Sequence, residues 1–210
     1  MLQRGKTVRQ HVTLCRFLLP SVEGVAELSI PDKLRRVIQR KPIDTRGEFL
    51  SAADPVGATF DPATEPLVVG ANLDDPAEDD LPSSKNAETV IDEDDDGNPG
   101  VTITADAATC ESTEELYAAL RTVTPFSGEV KSRDRIEGGL QPTLDQSILG
   151  ISADCLSIAK NLEIKIVEGS SFVAKRVGPS EDTSGDGFHS CREITEAAPE
   201  MFGEPWGSGE

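Results

Sequence analysis

Short runs of residues that alternate polar with apolar recur through this chain and set what it can fold into. In residues 7–14, Val8, Gln10, Val12 and Leu14 share one side, opposite Thr7, Arg9, His11 and Thr13. Residues 25–30 repeat the pattern, with Ala26, Leu28 and Ile30 together. Further runs follow at 101–104, 116–123, 126–131, 135–140, 147–151 and 171–177. Successive side chains on a strand point to opposite faces, so a period of two predicts strands with one face buried. Turn signals between the later runs predict a mainly β fold, a single antiparallel meander barrel or sandwich, of which a lipocalin-like barrel is one form. With only nine aromatic residues, seven of them Phe, the core must rest on Val, Ile and Leu.

The clearest hairpin joins residues 126–131 to 135–140 through Ser132, Arg133 and Asp134. Its inward face reads Phe126, Gly128 and Val130 against Ile136, Gly138 and Leu140, and inward glycines suit a strongly bent sheet. Two stretches switch to helical spacing. Leu34, Val37 and Ile38 predict a short helix over 32–38, and Ile194, Ala197, Ala198, Met201 and Phe202 predict one over 191–202, capped by Ser190. Residues 1–202 are read as a single domain and 203–210, with Trp206, as a flexible tail. Within the domain, 41–100 is a long acidic, loop-rich insertion. Its first part, 41–85, is rich in Pro, Asp, Gly and Ala, with one expected strand at 67–73.

Charge is concentrated in that insertion. The chain carries 20 basic and 38 acidic side chains, a net of −18. Residues 1–50 hold ten basic and five acidic groups, a net of +5, and residues 51–100 hold one basic and fourteen acidic, a net of −13. Such a field repels nucleic acid and anionic membranes and attracts cations. The basic cluster of Arg35, Arg36, Arg40 and Lys41 is expected to be a solvated helix face neutralised by the acidic loop.

The four cysteines, Cys15, Cys110, Cys155 and Cys191, lie too far apart for CxxC redox or zinc spacing. An even count at wide spacing predicts two disulfides in an oxidising compartment, with three pairings open. No apolar run has the ~18–20 residues of a spanning helix. The first six residues lack the apolar core of a secretory signal, so the expected extracytoplasmic protein (periplasm or cell surface) would carry its leader outside this sequence.

The most specific local motif is acidic. Asp92, Asp94 and Asp96 occupy alternate positions before Gly97, as in positions 1, 3 and 5 of an EF-hand Ca²⁺ loop, and the Asn98 carbonyl stands at position 7. Position 12 is Ile103, so closure requires an acid from elsewhere, such as Asp106 or Glu88. Residues 182–193 form a second, looser match, with Asp182, Ser184, Asp186, Ser190 and Glu193 at ligand positions and His189 where an aliphatic side chain normally pins the loop. Enzyme signatures are absent: neither His11 nor His189 accompanies a GxSxG elbow, and no GxGxxG or GxxxxGK[ST] loop occurs.

Residues 92–104, the Phe126-Ser127-Gly128 run with Asp134 to Gly138, residues 146–150 and residues 171–177 resemble, in that order, a group of uncharacterised bacterial secreted lipoproteins. That group has an acidic DxDGDGxPGVT signature, followed by an SGxVxSxDRIxG hairpin, a QxxLGA strand and an SFxxxRV strand. A final Cys opening a short helix is also similar, here over 191–202. The resemblance spans roughly residues 5–202, and Asp95 stands where the group has Gly. It implies export, lipid anchoring through a leader cysteine and a β-rich domain, with no established activity.

These features point to a non-enzymatic extracytoplasmic binding or cell-envelope structural domain, stabilised by Ca²⁺ at Asp92, Asp94, Asp96 and Asn98. Its expected partners are a divalent cation and an envelope protein or small apolar ligand. The alternatives are a lipocalin-like carrier of a small apolar ligand and a hydrolase using paired carboxylates.

Overall fold

The computed structural model describes residues 2–4, 7–15, 26–41, 43–48, 55–161, 170–178 and 189–202. In chain order, the first elements are β1 (Leu2–Arg4), β2 (Thr7–Val12), β3 (Ala26–Ser29), helix α1 (Asp32–Arg40) and β4 (Ile43–Glu48). Three short strands follow: β5 (Thr59–Phe60), β6 (Ala63–Thr64) and β7 (Leu67–Val69). The longer strands are β8 (Val101–Ala107), β9 (Glu114–Val123), β10 (Phe126–Ser132), β11 (Arg135–Leu140) and β12 (Thr143–Ile151). A 3-10 helix (Asp154–Asn161), β13 (Ser171–Lys175) and helix α2 (Cys191–Phe202) complete the set.

The fold is mainly β, and every strand pairing is antiparallel. The strands form three sheets, in the orders β1-β2-β4-β6, β13-β11-β10-β5 and β12-β9-β8-β3, with β7 joined to β9. Among the described residues they do not close into one barrel. The architecture is the meander or sandwich form of the expected class.

Residues 41–85 contribute more strand than their composition suggests. Besides β7, which is shorter than the expected 67–73, they supply β4, β5 and β6. β4 is central to its sheet, with Thr45 opposite Gln10 on one side and Thr64 on the other.

The long strand β9 organises the third sheet. β12 runs along one edge, while β8 and β7 share the other. Both faces of this sheet are covered. Leu116 and Ala118 pack with Leu28, Val101 and Ile103, and with Leu34 and Ile38 of α1. On the opposite face, Ala119 and Leu149 pack under Val68, Leu73, Leu81 and Val90. The segment over that second face is fixed by polar contacts as well. The Arg121 guanidinium donates to the Asp79 carbonyl at 2.6 Å and pairs with Asp145 at 2.8 Å, and the Ser147 hydroxyl donates to the Pro82 carbonyl at 2.5 Å. Part of the acidic insertion is therefore a lid on a sheet.

The β10–β11 hairpin has its expected inward face, and its register sets Gly128 opposite Gly138. A Cβ on Gly138 would lie 2.5 Å from the Gly128 Cα and 2.0 Å from the Ser127 carbonyl oxygen, so no side chain fits there. The Phe172 ring sits over Gly128 and meets Phe126 edge-on at 5.3 Å between centroids. Aromatic cover over strand glycines restores apolar contact that the glycines cannot supply.

Two disulfides, Cys15–Cys191 and Cys110–Cys155, fix the pairing that spacing leaves open. The first ties the start of α2 to the residues just after β2. α2 has the expected bounds and a capping box: the Ser190 backbone N–H donates to the Glu193 carboxylate at 2.8 Å, and the Glu193 N–H donates to the Ser190 hydroxyl at 3.3 Å.

Candidate functional site

Side chains from all three sheets line a partly open cavity of about 450 Å³. It is apolar because each strand presents its alternate set of Val, Ile, Leu and Phe side chains inward. Val12, Leu120, Ile136 and Leu144 come from four different strands, and Ile38 of α1 closes part of the wall. The expected inward residues Phe126, Ile136 and Leu140 all line it, as does Phe172. Among the described residues no charged side chain lines it, and the polar ones are Thr and Gln. A second recess of about 440 Å³ shares Leu140 and Phe172 with the first and is bordered by Arg135 and Lys175. Alternation identifies which residues face inward; it carries no information on how far apart the sheets stand.

The acidic loop lies outside this cavity and is built on its supports. Its base is closed by two backbone bonds, from Gly100 N to Ile91 O at 3.0 Å and from Glu93 N to Gly100 O at 3.1 Å. Gly100 has φ +86°, and a Cβ there would stand 2.3 Å from the Ala118 carbonyl oxygen. The loop thus presses against β9 where only glycine fits. Asp95 also takes a positive φ, of 56°. This is the position at which the resembling group has Gly.

The structure brings Asp92, Asp94 and Asp96 together: one carboxylate oxygen from each lies within 4.8 Å of the others. Asp92 accepts the N–H groups of Asp96 at 3.1 Å and Gly97 at 2.8 Å. Asp96 accepts the Asn98 N–H at 2.8 Å and the Thr102 hydroxyl. Asn98 is therefore beside the triad. Asp106 and Glu88 do not belong to the cluster among the described residues, and Ile103 is buried in the core.

Asp94 is the unusual member. It is 5% exposed, its Oδ2 accepts the Thr102 N–H at 3.0 Å, and its buried Oδ1 has no hydrogen-bond partner. Burial pushes its carboxyl above the usual carboxylate range, and the charges of Asp96 and Asp92 push the same way, against the Thr102 N–H. For Asp96, partial burial raises, but the Thr102 hydroxyl, both hydrogen bonds from Asn98 and the Lys33 charge outweigh it and hold the carboxyl low. A buried oxyanion lacking a partner is costly, and a hard cation held by three carboxylates would compensate it.

Glu93 points the other way from its neighbours. Its carboxylate accepts the Gly70 N–H at 2.7 Å and pairs with Lys41 just after α1. Lys41 also donates to the Val68 carbonyl at 2.9 Å, and Lys33 donates to the Asp95 carbonyl at 2.8 Å. Two lysines, one on α1 and one directly after it, thus reach the acidic loop. Sequence spacing identified the metal-type triad but gave no sign of this anchoring carboxylate.

Residues 182–188 of the second Ca²⁺-type match lie outside the described residues, as does the side chain of His11. Glu193, the last ligand position of that match, is used in the α2 cap. Among the described residues, no helix is long and apolar enough to cross a membrane. The two disulfides indicate an oxidising setting. No protein-family model matches this chain, and no similar curated protein or solved structure was found.

Proposed function

We propose that this chain is a non-enzymatic extracytoplasmic binding domain that carries a small apolar ligand between its sheets, with Ca²⁺ at the acidic loop as a structural clamp. The cavity is the observation that carries this reading. Its 450 Å³ falls in the range of ~300–1,000 Å³ typical of small-molecule sites. A purely structural envelope role gives no reason for such a space.

The clamp is supported by the converging triad and by the buried, unpartnered oxygen of Asp94. The disulfides favour a periplasmic or cell-surface location. The hydrolase alternative draws no support from the cavity, where no described lining residue is a carboxylate.

Nile red, a neutral apolar dye, tests the binding function. Its fluorescence should saturate at one dye per chain and weaken in Leu120→Trp, which narrows the cavity. Unsaturable binding, or equal binding by the narrowed variant, would refute the carrier. Tb³⁺ luminescence tests the clamp separately: saturable binding lost in Asp94→Asn is expected, and its absence removes the metal alone.

A further inference from the structure

Across three adjacent strands, Gln10 of β2, Thr45 of β4 and Thr64 of β6 stand in one register row, and all three line the cavity. Thr45 is 4% exposed, and its hydroxyl donates to the Gln10 side-chain oxygen at 3.1 Å. That hydroxyl keeps acceptor capacity. The Thr64 hydroxyl oxygen is buried and has no hydrogen-bond partner. Val would fill the same space at position 64 without burying a polar atom, so the Thr64 hydroxyl is unexplained by packing.

On two strands the wall changes from polar to apolar, whereas on β12 the polar Gln146 stands opposite Leu120 and the apolar Leu144 opposite Thr122. Gln10 and Val12 of β2 and then Leu14, just beyond it, run along the cavity, polar at one end only. β9 presents Leu116 and Leu120 and then Thr122. Thr122 pairs with Leu67, three residues beyond Thr64. Among the described residues, no cation lines the cavity to neutralise an ionised head, and an uncompensated buried charge is prohibitive.

We infer that the ligand is a single-chain amphiphile with an uncharged hydrogen-bonding head, such as an alcohol, ester or amide, whose head is held by Thr45 and Thr64. This rests on the cavity being a binding site, and it adds the ligand's chemical class.

The test is displacement of Nile red at pH 8 by 1-octanol, octane and octanoate, from the wild type and from the Thr45→Val/Thr64→Val double variant. In the wild type, ionised octanoate should compete at least tenfold more weakly than octanol. In the double variant, octanol should weaken about tenfold, the scale of one or two lost hydrogen bonds, while octane is unchanged. Octanol and octane shifting equally, or octanoate matching octanol, would overturn the inference and leave the carrier standing. Nile red that fails to bind the wild type, or that none of the three displaces, would overturn both. If the double variant fails to fold, Thr64→Val alone must still weaken octanol selectively, and no change there overturns the assignment.

Discussion

The Lys41 ammonium bridges the Glu93 carboxylate and the Val68 carbonyl, joining the end of α1, the acidic loop and the strand β7. Val69 on that strand and Ile38 on α1 line the cavity, so one ion pair fastens the loop to two parts of the cavity wall. Glu93 is largely enclosed, at 12% side-chain exposure, whereas Lys41 is one-third exposed at 34%. Removing Lys41 therefore strands a mostly buried charge. Lys41→Met should cost about 1–3 kcal/mol in urea unfolding. Glu93→Gln should cost less, because the amide oxygen can still accept the Gly70 N–H.

Asp94 makes stability depend on pH and on cations in a defined direction. Its carboxyl is raised in the folded protein by burial, then by Asp96 and Asp92, so without a cation the native state binds a proton more tightly than the unfolded chain. In chelator, the Asp94 contribution is fully present below the ordinary carboxylate value and is lost as pH rises through the raised native one. Asp96, held low, acts oppositely and loses its contribution only as pH falls through its own native value. Asp94→Asn keeps an acceptor for the Thr102 N–H and removes the buried charge. In chelator its melting temperature should exceed that of the wild type at pH 7, and added Ca²⁺ should no longer raise it.

Gly100 is where the acidic loop touches the sheet. Gly100→Ala combines a positive φ with a Cβ placed 2.3 Å from the Ala118 carbonyl, so it should destabilise by more than about 2 kcal/mol. Thermal melts measure this directly.

The Cys15–Cys191 bond spans 176 residues of sequence and tethers α2. Cys15→Ser/Cys191→Ser should cost about 2–5 kcal/mol, read as a lower melting temperature. Reductant should lower the wild-type melting temperature further than that of the double variant, because Cys110–Cys155 responds in both.

What could be read from the sequence depended on how local the signal was. The 135–140 strand and the 191–202 helix have the expected bounds, because alternation and helical spacing are each written within one segment. The Asp92, Asp94 and Asp96 triad was legible for the same reason. β4 was not: it carries Asp44, Arg46, Gly47 and Glu48, and one of its inward positions is the buried polar Thr45. β5 and β6 are two residues each, too short to show any period. The role of Glu93 depends on Lys41 and Gly70, which are distant in sequence. Division into three sheets and the space between them follow from strand pairing, which periodicity does not encode.

The most direct test of the central claim is calorimetric titration of the wild-type protein with 1-hexanol, 1-octanol and 1-decanol at several temperatures. Burial of each added CH₂ in an apolar site is worth ~0.8 kcal/mol, so affinity should rise about fourfold per carbon, with one site per chain and a negative heat-capacity change. An affinity that stays flat with chain length, or no saturable heat for any of the three, would contradict an internal apolar binding site.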